Sequence, residues 1–108
     1  MTKHGLREKE GKKKLLKEVD DFSRLLAERY RLKRVYLFGS LAEGLFLKGS
    51  DVDLAVEGMS FEDYLKALAE FRYIDGIPVD IVHLDFCKSE LRRAVLENKG
   101  VKILYESK

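Results

Sequence analysis

Residues 39–56 read GSLAEGLFLKGSDVDLAV. The DVDLAV portion has the apolar content of a strand, yet it carries Asp51 and Asp53, and aspartate is disfavoured in strands. Strand side chains alternate between faces, so the two carboxylates share one face, about 7 Å apart at ~3.4 Å rise per residue. Val52, Leu54 and Val56 take the other face, where helices can cover them. The strand therefore has a core face and a charged face. Two like charges on one face repel, and that repulsion calls for a cation or a retained proton.

Upstream, residues 35–38 (VYLF) form a short β-rich run ending at Gly39, which predicts a first strand. Residues 41–47 read as a short helix opening after Gly39-Ser40. Further upstream, Leu15, Leu16, Val19, Phe22, Leu25, Leu26 and Tyr30 recur with a 3.6-residue period and predict an amphipathic helix over 12–30. Residues 1–11 are polar, carry Gly5 and Gly11, and read as a flexible N-terminus ahead of a single domain over 12–108.

Downstream, Ser60-Phe61-Glu62-Asp63 resembles a capping box. It predicts a helix to about Arg72 with Phe61, Tyr64, Leu65, Leu68 and Phe71 on its apolar stripe. Asp75-Gly76 marks a turn, and Pro78 opens a third strand, VDIVHL. Residues 89–98 predict a last helix with Leu91, Val95 and Leu96 facing in, Gly100 past its end, and 101–105 a final strand. Tyr36, Phe38, Phe46, Phe61 and Phe71 are assigned to the core. Helices and strands alternate, so the fold class is α/β (α+β), a small mixed sheet flanked by helices.

Composition narrows the function. The 108 residues are 45% hydrophobic, enough for one domain with a real core. No apolar run reaches 18 residues, so no membrane span is expected, and the N-terminus lacks the apolar segment of a secretory signal. Cys87 is the single cysteine, which rules out an intramolecular disulfide and suits a reducing cytoplasm. Residues 1–34 hold 12 Lys/Arg against 6 Asp/Glu. The acids are interleaved with the bases, so a solvated helix face is favoured over a nucleic-acid surface. The absence of Gln, with one Asn and one Pro, resembles the bias of heat-adapted proteins.

A third acid gives Asp51 and Asp53 a purpose. Asp80 lies in the third strand, which can sit beside the second. Mg²⁺ prefers carboxylate oxygens and keeps positions open for phosphate. Three converging carboxylates can hold two such ions ~3.5–4 Å apart, the arrangement that serves in-line phosphoryl displacement. Gly39 lets the backbone approach a phosphate closely, and amides opening a helix favour anions. His83 falls on the opposite strand face from Asp80 and reads as structural. Cys87 reads as packing, and Asp85 as a loop residue or cap.

These residues carry a resemblance. Gly39-Ser40, ten residues, then Asp51-Val52-Asp53 is similar to the GS-x10-DxD signature of the polymerase-β-type nucleotidyltransferases. Asp80 in VDIV resembles that family's third acid. The likeness extends over about residues 33–106, and the short chain resembles the minimal nucleotidyltransferases, antitoxin partners of HEPN-domain proteins. The resemblance implies transfer of AMP from ATP to a partner's hydroxyl, a tyrosine in the minimal subfamily. It places Gly39, Ser40 and Ser50 on the nucleotide, and Asp51, Asp53 and Asp80 on two Mg²⁺ ions as the catalytic acids. It also implies homo- or hetero-oligomers. One departure stands out: Leu41 and Glu43 occupy positions where relatives often carry arginine. That substitution supports the alternative reading, a catalytically degenerate antitoxin that caps its partner sterically.

Overall fold

The structure, a computed structural model, describes residues 2–45 and 49–108. The elements run α1 (Thr2–Tyr30), β1 (Arg34–Phe38), α2 (Gly39–Ala42), β2 (Val52–Glu57), α3 (Phe61–Glu70), β3 (Tyr73–Ile74), β4 (Ile77–His83), α4 (Ser89–Leu96) and β5 (Lys102–Glu106). The five strands form one sheet in the order β3-β4-β2-β1-β5. β1 is antiparallel to β2 and to β5, and β2 is parallel to β4. The mixed α/β sheet flanked by helices is the architecture expected from the sequence.

Alternation along the central strands sets the layers. Val35 and Leu37 of β1, with Val52, Leu54 and Val56 of β2, are fully buried. They meet Leu15, Val19 and Leu26 of α1 and Ala67 of α3 in two adjoining apolar clusters. On the other face, Tyr36 and Ala55 pack with Leu84 and with Val95 of α4 in a third cluster. α4 covers only part of that face, and the acids occupy the part beyond it.

Several expected boundaries shift. The first helix begins at Thr2 rather than Lys12. The Lys- and Glu-rich run ahead of Lys12 favours helix strongly enough to absorb Gly5 and Gly11, at roughly 1 kcal/mol each. Tyr73–Ile74 forms an extra two-residue strand, paired with Ile77 and Pro78 around the Asp75-Gly76 turn. The short helix after Gly39 stops at Ala42, and Phe46, assigned to the core from sequence, lies outside the described residues with Leu47 and Lys48.

The apolar stripe of α3 is also corrected. Ser60 caps the helix by accepting from the Asp63 amide at 3.1 Å, as the capping box requires. The buried face, however, is Tyr64, Ala67 and Phe71. Phe61, Leu65 and Leu68 stand 54%, 52% and 38% exposed, and Leu91 and Leu96 of α4 are exposed as well.

Candidate active site

The acids gather where the C-terminal end of β1 meets the early parts of β2 and β4. Phe38 pairs with Asp53 across β1 and β2, and Asp53 pairs with Asp80 across β2 and β4. Asp53 and Asp80 thus share one row of the half-open face, with backbones about 4.8 Å apart. Asp51 and Asp80 are exposed and Asp53 is half-buried; Ser50, also half-buried, directly precedes Asp51. The sheet therefore brings Asp51, Asp53 and Asp80 to one end of one face, together with Gly39 and Ser40.

Asp53 bears the electrostatic cost of this arrangement. Its carboxyl is pushed up from 3.8 to about 6, first by burial and then by the charges of Asp80 and Asp51. Among the described residues, no three acidic, thiol or imidazole groups stand close enough to form a ready-made metal site. The two flanking carboxylates are exposed to solvent. A hard divalent ion drawn among them would remove the repulsion they impose on Asp53, so the donor set fits such an ion chemically.

Gly39 is required by its neighbour as well as by its backbone. Its φ is +78°, a conformation that favours glycine. A Cβ there would stand 2.2 Å from Oδ2 of Asp53. The Asp53 carboxylate therefore lies directly against the Gly39 backbone. α2 opens at Gly39 with no side-chain cap on its first amides. The strand–glycine–helix corner and the central acid form one unit.

Glu43 ends α2, exposed to solvent, and its Oε2 accepts from Asn98 Nδ2 at 3.4 Å. Gly100 lies against this same corner, where a Cβ would meet the Ala42 carbonyl oxygen at 2.4 Å. Glu43 thus takes part in holding the α4–β5 loop on α2. Lys48, a second charged residue of this stretch, lies outside the described residues.

The residues read as bystanders behave as such. His83 is buried on the core face, its Nε2 on the Met59 carbonyl and its Nδ1 accepting the Asp85 amide at 3.1 Å. Asp85 ties the turn by accepting from Gly58 N at 2.8 Å. Cys87 packs beneath α4.

Sequence reading missed a buried charge. Glu57, 8% exposed, accepts a hydrogen bond from the Tyr36 hydroxyl and lies 3.5 Å from Arg34 and 3.6 Å from Arg92. Arg34 also pairs with Glu106 at 2.6 Å. The network ties β1, β2, β5 and α4 together at the end of the sheet remote from Asp53. The alternation that placed Asp51 and Asp53 on one face also places Glu57 there, and that was the available signal.

With a Gly-Ser corner, Asp51 just ahead of β2, Asp53 on it and Asp80 in register with Asp53, the fold is that of a nucleotidyltransferase. The chain belongs to the nucleotidyltransferase domain family, whose model matches residues 8–103. Among its relatives are two Methanocaldococcus jannaschii proteins, both provisionally named protein adenylyltransferase. One is 36% identical over 76 residues, covering 64% of this chain and 78% of that protein; the other is 33% identical over 78 residues with the same coverage. A toxin–antitoxin structure containing AMP-PNP shares the fold with a TM-score of 0.68 at 22% identity, over 82% of this chain and 74% of that one. A provisionally named nucleotidyltransferase from Sulfolobus solfataricus shares it with a TM-score of 0.59 at 21% identity, over 90% and 85%. Among the described residues, no helix is long and apolar enough to cross a membrane.

Proposed function

We propose that this protein is a Mg²⁺-dependent adenylyltransferase that moves AMP from ATP to a hydroxyl of a partner protein, acting as the antitoxin of a HEPN-type toxin. The register of Asp53 with Asp80, with Gly39 held against Asp53, carries the reading. The names of the relatives support the protein acceptor, and the toxin–antitoxin neighbours support the pairing. A tyrosine is the acceptor implied by resemblance to the minimal subfamily.

In this reading Gly39 and Ser40 receive the triphosphate, with Ser50 beside them, and Asp51, Asp53 and Asp80 hold the metal. Bound Mg²⁺ supplies a lowered pKa for the attacking hydroxyl and a counter-charge for the leaving group. The acceptor oxygen forms a bond to the α-phosphorus. The bond from that phosphorus to the bridging oxygen breaks, and pyrophosphate departs with the electron pair. The acceptor proton passes to Asp80 and on to solvent.

The test is transfer of label from α-³²P-ATP to a co-expressed HEPN protein. Asp53→Ala should abolish it, and label transfer unchanged in an Asp51→Ala, Asp53→Ala double variant would overturn the mechanism. A second reading, steric capping without catalysis, is favoured by Glu43, which places a carboxylate at the end of the corner assigned to a polyanion. Calorimetry separates the two: clear binding of ATP with Mg²⁺ argues for the enzyme, and partner binding without ATP binding argues for the cap.

A further inference from the structure

We infer that the cavity between α3 and the turn joining β4 to α4 seats an aromatic side chain of the acceptor protein. The inference rests on the adenylyltransferase reading and adds where the acceptor is gripped. The cavity measures about 380 Å³ and is lined chiefly by Phe61, Tyr64, Asp80, Val82, Phe86 and Leu91. Phe61, Phe86 and Leu91 are 54%, 59% and 44% exposed, although all three are apolar. Phe61 and Phe86 meet edge to face at 5.8 Å, forming an aromatic wall beside the carboxylate of Asp80.

The lining suits a ring rather than a strand or a polyphosphate. β3 pairs with β4 only at Ile77 and Pro78, so the edge beyond them faces the cavity. Two of its carbonyls are already engaged: Ile81 O by the Tyr64 hydroxyl at 2.6 Å, and His83 O by the amides of Phe86 and Cys87. An added strand would find those acceptors taken. Among the described residues no Lys or Arg lines the cavity, so none of them draws a triphosphate there. Apolar walls with one carboxylate at the rim match an aromatic body with a polar end.

Placement assigns the cavity to the acceptor. The order β4-β2-β1 puts Gly39-Ser40 beyond Asp53 on the β1 side and the cavity beyond Asp80 on the β4 side. In-line displacement needs the attacking and leaving oxygens on opposite sides of the phosphorus. With the leaving pyrophosphate at Gly39-Ser40, the nucleophile approaches from the side on which the cavity lies.

The test uses the full chain, isotopically labelled, titrated with N-acetyl-tyrosinamide and followed by NMR. Resonances of Phe61, Phe86 and Leu91 should shift, those of Gly39 and Ser40 should not, and Phe86→Ser and Leu91→Ser should each weaken the effect at least fivefold. Both residues are exposed, so both variants should fold, and the wild-type titration stands without them. Unmoved cavity resonances, or AMP with Mg²⁺ shifting the same resonances and competing with tyrosinamide, would overturn the assignment. This readout needs no catalysis. Absent label transfer with intact tyrosinamide binding would remove the adenylyltransferase reading and leave the aromatic seat standing, whereas label transfer with no tyrosinamide binding would do the reverse.

Discussion

Asp53 and Gly39 are a matched pair: the acid needs the space that a side chain at residue 39 would fill. A methyl group there meets Oδ2 of Asp53 at 2.2 Å, on a backbone with φ of +78°. Gly39→Ala is therefore expected to cost about 1–3 kcal/mol, measured by denaturant unfolding, and to lower AMP transfer at least tenfold by displacing Asp53. The charge on Asp53 sets a second expectation. Its proton is held more tightly in the folded chain than in the unfolded one, about 6 against 3.8. Folded protein thus binds the extra proton between those values, and stability falls as pH rises through that window, then levels off above it. Solvent reaches this half-buried group, so the effect is discounted to about 1 kcal/mol. In EDTA, Asp53→Asn should melt above wild type at pH 7.5 and level with it near the bottom of the window. Adding Mg²⁺ at pH 7.5 should raise the wild-type midpoint and leave the variant unmoved.

At the scale of elements, local signals set the helix starts and strand faces more firmly than the burial of helix stripes. The Ser60 cap was legible because it is a contact within one turn, and Ser60→Ala should lower stability by about 1 kcal/mol in thermal or denaturant unfolding. Faces of β1 and β2 were legible because alternation is rigid: Val35, Leu37, Val52, Leu54 and Val56 are all fully buried. The acids at Asp51, Asp53 and Asp80 stood out by the same rule, with spacing to Gly39-Ser40 adding what alternation lacked. Phe61, Leu65, Leu68 and Leu91 were not legible as exposed groups. Periodicity reports that a helix has an apolar stripe, and neighbours decide whether anything covers it. The pairing of Asp53 with Asp80 was likewise beyond local reading, since it depends on β4 lying parallel beside β2. The aromatic wall beside Asp80 exists because α3 turns part of its apolar stripe away from the sheet.

Across the whole molecule, the two ends of the open face divide the work. One end carries Asp53 and Asp80, where burial and the neighbouring acids hold the Asp53 proton. The other carries Glu57, whose charge is met by the Tyr36 hydroxyl, Arg34 and Arg92. Tyr36 resists ionisation there, first through burial and then through its bond to Glu57. Arg92 adds a hydrogen bond to the Leu84 carbonyl at 3.1 Å, so the same cluster fastens α4 over the sheet. Removing the anion alone leaves the arginines without their buried partner, and Glu57→Ala should cost about 2–3 kcal/mol. Tyr36→Phe should cost about 1 kcal/mol or more, and the double variant should cost less than the sum, because one hydrogen bond cannot be lost twice. Chemical unfolding of the four proteins measures the coupling. Calorimetry with ATP and Mg²⁺ on the Tyr36→Phe variant supplies the discriminating readout. Affinity equal to wild type locates the network's role in holding α4, whereas a severalfold loss would show that strain at the Glu57 end reaches the acids through β2.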